Sequence, residues 1–239
     1  MRKTRQSGAP RRKQAERTAL SDRLLTEAAI ELLVKHGIQG TTLQSVGEKA
    51  GYSRGLATHR FGSKAGLFGK VLDVASLDWL HRVQAAVGPR AGVDALCAAT
   101  DAAEQFIRER ENEVRAMYLL WFLSIDPSAD YRSNIANVHR AQRRDAAEWV
   151  RAGQRSGAVN PEADPVRVAE QYAASMAGII YQWLANPRMP LGAMLEQLKS
   201  DLRQRLSAAG DATEPKTRRN HRARPSGRSN GGNRARSSA

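Results

Sequence analysis

The sequence predicts an all-α protein of about nine helices, and three observations carry that reading. Apolar residues recur three and four apart through most of residues 18–210, the spacing of one helix face. No segment alternates with period two for long enough to make a strand. Glycine and proline punctuate the periodic segments at intervals that suit helix ends.

The first helix is read from Leu25, Ala28, Ala29, Leu32 and Leu33, and Gly37 closes it. A short second helix follows, with Thr41 as N-cap and Gln44 three residues on as its capping-box partner. Leu43, Val46 and Ala50 line its inner side, and Gly51 stops it. A third short helix runs from about Ser53 to Phe61. Ser63 caps a fourth, with Leu67, Phe68, Val71, Leu72, Ala75 and Trp79 inward, until Gly88-Pro89 breaks it. Val93 to Arg110 and Glu113 to Ile125 form two more amphipathic segments, stopped by Asp126-Pro127. A long helix is expected from about Ser128 to Ser156. A loop from Ala158 to Pro165 precedes the last two helices, Val166 to Ala185 and Leu191 to Ala209.

The chain has 239 residues and a net charge of +14, unevenly spread. Residues 1–17 carry seven Lys/Arg against Glu16, and residues 211–239 carry eight against Asp211 and Glu214, so the body between them is close to neutral. Such basic ends suit a polyanionic partner. Both are poor in aliphatic side chains and are read as disordered, a basic arm (1–17) and a basic tail (211–239). The single cysteine, Cys97, excludes an intrachain disulfide and a multi-cysteine metal site. No apolar stretch follows the charged N-terminus as a secretory signal would require, and the longest apolar run, Ala116 to Ile125, is about half a membrane span. A cytoplasmic location, on the bacterial nucleoid, is expected.

The stretch Gly51-Tyr52-Ser53-Arg54-Gly55 supports two opposed readings. It fits the G-x-S-x-G turn of a hydrolase, which would make Ser53 a nucleophile with His59, His81 or His139 as partner. That turn needs a strand before the serine, and Leu43 to Ala50 reads as helix. A helix-turn-helix explains more of the same letters. Gly47 and Ala50 are small where two helices must approach, Gly51 tolerates positive φ in the turn, and Ser53 caps the next helix. That helix then offers Arg54, Gly55, Thr58, His59 and Arg60 to a major groove.

Residues 21–68 also resemble the N-terminal domain of TetR/AcrR-family transcriptional regulators. The resemblance rests on Lys35-His36-Gly37, Gly40-Thr41-Thr42-Leu43, Val46-Gly47-Glu48-Lys49-Ala50-Gly51, Ser53-Arg54-Gly55, His59-Arg60-Phe61, and Ser63-Lys64 with Leu67-Phe68. The chain departs from the usual pattern at Ala57-Thr58, where members carry Leu-Tyr, and at Gly47, where they favour alanine. The resemblance implies a helix-turn-helix domain over 18–64 and a ligand-binding and dimerisation domain over 65–210. It makes Thr41, Thr42 and Lys64 phosphate contacts, and Ser53, Arg54, Gly55, Thr58, His59 and Arg60 the set facing bases or backbone.

Residues 80–210 hold no catalytic constellation, metal motif or cofactor fingerprint, so neither enzyme activity nor a cofactor is expected. Phe106, Met117, Tyr118, Trp121, Phe122, Trp149, Tyr172, Met176 and Trp183 stand out as core or, as the resemblance implies, as walls of a cavity for a bulky, mostly apolar effector. Two stripes, Val166/Ala169/Ala173/Ala177/Ile180 and Leu191/Met194/Leu195/Leu198/Leu202/Leu206, suit one subunit's interior or, as the resemblance implies and as is expected here, a homodimer face in which the last two helices pack against their copies as a four-helix bundle. Arg132, Arg140, Arg143, Arg144 and Arg151 read as a solvated face. The expected function is a dimeric, effector-released repressor on a palindromic operator in double-stranded DNA. A non-specific architectural DNA protein and a Ser53 hydrolase are the alternatives.

Overall fold

The computed structural model describes residues 9–208, and the tail at 211–239 lies outside them. Among the described residues there are nine helices and no strand. They are α1 (Ala9–Gly40), α2 (Leu43–Lys49), α3 (Arg54–Phe61), α4 (Lys64–Val87), α5 (Gly92–Glu109), α6 (Glu111–Leu123), α7 (Arg132–Arg155), α8 (Pro165–Ala185) and α9 (Leu191–Leu206).

Three boundaries differ from expectation for physical reasons. α1 begins at Ala9, so the helix runs through residues 9–17, which were expected to be disordered. Arg11, Arg12, Lys13, Gln14, Ala15, Glu16 and Arg17 are all good helix formers, and a helix that propagates from a buried segment needs no apolar face of its own. At the other end Gly37 has φ of 64°, which interrupts the helix before Gly40. The cap of α2 falls on Thr42 rather than Thr41. The Thr42 hydroxyl accepts from Ser45 N at 3.0 Å, and the Ser45 hydroxyl accepts from Thr42 N at 2.9 Å, so Ser45 takes the part given to Gln44. Finally α7 starts at Arg132, because Ile125 to Tyr131 is spent on successive turns around Asp126 and Pro127.

α1, α2 and α3 close over the N-terminal half of α4. Leu25, Ala29, Leu33, Val46, Ala57, Leu67 and Val71 are all fully buried there. α4 then runs on into the second layer, where it packs against α5 and α6. α5 sits centrally, in contact with α4, α6, α7 and α9. It crosses α7 where Gly92 meets Gly153, and a Cβ on Gly153 would lie 2.5 Å from Gly92 Cα.

Most of the α9 stripe and part of the α8 stripe are buried inside this chain. Leu191, Leu195, Leu198, Leu202 and Leu206 of α9 are buried, as are Ala169 and Ile180 of α8. Val166 alone of the α8 stripe stands substantially exposed. Within α9, Lys199 is buried and held by Asp101 and Glu196.

Candidate nucleic-acid interface and effector cavity

The helix-turn-helix is set by backbone approach. Gly47 of α2 lies so close to the start of α3 that an added Cβ would be 2.9 Å from Ser53 O and 3.2 Å from Arg54 N. Tyr52 N donates to Gly47 O at 2.8 Å, and Gly51 supplies φ of 77° in the turn. The Ser53 hydroxyl accepts from Leu56 N at 3.2 Å, so it caps α3. A nucleophile elbow is thereby absent at this serine, since a helix and a turn precede it instead of a strand.

Along α3 the side chains divide by face. Ala57 is fully buried, with Leu56 and Phe61 packed half-buried against the core. Ser53, Arg54, Gly55, Thr58 and His59 are exposed, and Arg54, Thr58 and His59 spend no side-chain hydrogen bond or ion pair among the described residues. Thr42 is exposed on the adjoining helix start.

Three residues expected at the DNA surface are placed elsewhere. Thr41 is fully buried, and its hydroxyl donates to Gly37 O at 2.8 Å, so it closes the kinked end of α1 and is inaccessible to a phosphate. Arg60 turns inward to α1, donating to the Thr18 hydroxyl at 3.1 Å and lying 3.3 Å from Asp22 Oδ1. Its side chain keeps only 22% exposure, so its charge is used to fasten α3. Lys64 donates to Ile38 O at 2.5 Å and lies over the Phe68 ring, which ties α4 to the end of α1.

The second layer encloses a cavity of about 840 Å³ between α4, α5, α6, α7 and α8. That size suits a small organic ligand. Phe106, Met117, Tyr118, Trp121, Trp149, Tyr172 and Met176 all line it. Phe122 and Trp183 do not: Phe122 is exposed and meets Tyr181 edge to face at 4.9 Å, and Trp183 packs half-buried on the core. The tyrosine tips are satisfied by the protein. Tyr118 donates to Ala177 O at 3.1 Å, and Tyr172 lies within hydrogen-bond range of Leu96 O and the Thr100 hydroxyl. Burial raises both phenol pKa values.

Sequence reasoning missed the polar part of this wall. His139, Gln142 and Arg143 of α7 line the cavity, so Arg143 does not belong to the solvated face of α7. The His139 ring meets Trp121 edge to face at 4.6 Å. Burial lowers its pKa, and the nearby Arg143 charge lowers it further. Nothing in a helix so rich in arginine distinguished the inward one. Among the described residues, no group of three or more His, Cys, Asp or Glu side chains is placed to hold a metal ion, and no helix is long and apolar enough to cross a membrane.

Comparison with known proteins agrees with this geometry. Residues 25–71 match the family model described as bacterial regulatory proteins, tetR family. The HTH-type transcriptional regulator BetI of Rhizobium meliloti (strain 1021) is 28% identical over 203 residues, spanning 81% of this chain and 93% of that protein. Among solved structures, a putative TetR-family transcriptional regulator from Rhodococcus sp. superposes with a TM-score of 0.66 at 20% identity, over 79% of this chain and 100% of the other. SmeT, the repressor of the Stenotrophomonas maltophilia multidrug efflux pump SmeDEF, does so with a TM-score of 0.66 at 19% identity, over 79% and 91%. The matched residues hold the capped α3 and the glycine-tight turn before it, and they form a regulatory domain of the tetR type.

Proposed function

We propose that the chain is a cytoplasmic repressor that binds a palindromic operator as a homodimer and is released when a small molecule fills the cavity. The observation that carries this reading is the division of α3. Its inner side is anchored through Ala57 and Arg60, while Arg54, Gly55, Thr58 and His59 face outward with no side-chain partner among the described residues. Side chains left free on a rigid, exposed helix suit base edges in a major groove. Ser53 and Thr42 add phosphate-facing hydroxyls beside them.

Two further features support the regulatory half. α4 contributes to the packing under α3 with its first turns and lines the cavity with Ser76, Trp79 and Val83 further on. A ligand that prefers one tilt of α4 would therefore favour one placement of the reading head, which is a population shift. A fold neighbour, SmeT, has been solved as a complex with triclosan. The dimer face we assign to the outward sides of α6 and α8, where Phe122, Tyr181 and Val166 are each nearly half exposed.

Binding to an operator selected from random DNA, measured beside a scrambled duplex, tests the reading. A specific repressor binds the operator tighter by roughly three orders of magnitude or more. A ratio near one would favour the architectural alternative, for which the basic ends of the chain argue.

A further inference from the structure

Arg143 sits on the cavity wall with no hydrogen-bond or ion-pair partner among the described residues. The arginines of α7 with partners are Arg140 on Asn137, Arg144 on Asp145, and Arg151 and Arg155 on Glu148. Arg132 is exposed. Arg143 is half-buried, lines the cavity, and has no hydrogen bond or carboxylate partner among the described residues. His139 and Gln142 lie on the same helical face, four and one residues before it, and their side chains also make no hydrogen bond there. Three donors aimed from one face into an aromatic cavity describe a head-group site.

The sign of the head group follows from the other charges around the cavity. Asp145 is already neutralised by Arg144 at 2.9 Å. Asp73 and Lys70 of α4 and Glu170 of α8 are exposed to solvent, where water screens their net charge of −1. The unspent charge in the partly buried region is therefore the Arg143 guanidinium. A planar guanidinium binds a carboxylate through two parallel hydrogen bonds, and withdrawal from water strengthens them. Trp121, Tyr118, Trp79 and Phe106 also line the cavity, with Trp121 against His139, and offer ring faces and edges but no free polar tip from the tyrosine.

We infer that the cavity takes an amphipathic organic acid, its carboxylate on Arg143, Gln142 and His139 and its apolar body among the aromatic side chains of α4, α5 and α6. This rests on the reading of the cavity as the effector site, and it gives the expected bulky, mostly apolar effector a single anionic end.

Titration calorimetry of the full-length protein with three probes of one shape tests the inference. The probes are naphthaleneacetate, its neutral amide, and naphthylmethyl-trimethylammonium. The acetate is expected to bind about tenfold or more tighter than the amide, as a charge-assisted pair requires. Arg143→Met should bring the acetate down to the amide and leave the amide unchanged, while Arg143→Lys should keep part of the preference. Circular dichroism melting of each variant confirms that it is folded. Equal binding of acetate and amide, a preference that survives Arg143→Met, or tighter binding of the ammonium probe overturns the anion assignment and leaves the cavity as an effector site. Failure of all three probes to bind overturns the effector reading along with it.

Discussion

Adding one methyl group at Gly153 or at Gly178 is expected to move stability in opposite directions. Both glycines lie inside helices, so alanine gains about 0.8–1 kcal/mol of helix propensity at either site. At Gly153 the new Cβ would lie 2.5 Å from Gly92 Cα, 2.5 Å from Val159 Cγ2 and 3.0 Å from Gly92 N. Two of those atoms are backbone. The segment beyond is also fixed, because Gly153 O accepts from both Ala158 N and Val159 N. Gly92 cannot easily rotate away, since its φ of 58° leaves it committed to the left-handed region. Overpacking of this kind costs about 1–3 kcal/mol, and with no flexible atom to yield we place it at the upper end. Gly153→Ala should then lose about 1–2 kcal/mol net. At Gly178 nothing lies within 4 Å of the new methyl, so Gly178→Ala should gain the full propensity term in an isolated subunit. Urea denaturation of both variants at low protein concentration measures the difference. A Gly153→Ala protein as stable as the wild type would refute the close α5–α7 crossing. Repeating the Gly178 measurement at high concentration adds a reading on assembly: a gain that turns into a loss there places α8 against a second copy.

Other perturbations test separate parts of the structure. Arg54→Ala should cost about 1–3 kcal/mol on the operator and less on scrambled DNA, whereas equal losses on both would make Arg54 a phosphate contact. Leu202→Ala, which truncates a side chain left 1% exposed, should cost about 2–5 kcal/mol of folding free energy, and a fully stable variant with altered sedimentation would instead put Leu202 between subunits. His139 is disfavoured in its charged form by burial and by Arg143, among cavity neighbours that also include Lys70, Asp73, Asp145 and Glu170. The unfolded chain therefore takes up its proton first, so stability should fall as pH drops below about 6.5, and His139→Phe should flatten that fall in a pH series of urea midpoints. Deleting residues 1–17 removes seven cations, and the slope of log affinity against log salt should flatten by about 0.9 per lost phosphate contact, with no change if the segment does not touch DNA.

The helical framework was legible because helix ends carry local chemistry. Ser53 and Ser63 cap helices as their spacing suggested, and Gly88 ends α4. The α2 cap was misplaced by one residue because two threonines stand side by side, and only tertiary burial of Thr41 decides between them. Periodicity identified the apolar face of α9 but could not say what covers it, and α5 does so within the same chain. The inward turns of Arg60 and Arg143 were illegible for one shared reason. An arginine on a helix has the same local signature whether it meets solvent, a carboxylate 38 positions away (as Asp22 is from Arg60) or a cavity.

The anchoring of α3 bears on how such a protein changes over generations. Arg60 and Ala57 hold the helix in place, and neither is on the outward face. Arg54, Gly55, Thr58 and His59 hold nothing in place. Substitutions at these four positions are therefore nearly free of any folding penalty, and surface changes of that kind stay within about 0.5 kcal/mol. Operator preference can thus drift, and a duplicated gene can acquire a new target, without an intermediate that fails to fold. The same separation makes those four positions the natural ones to randomise in a library selected for new DNA sequences, with Arg60 and Asp22 kept fixed.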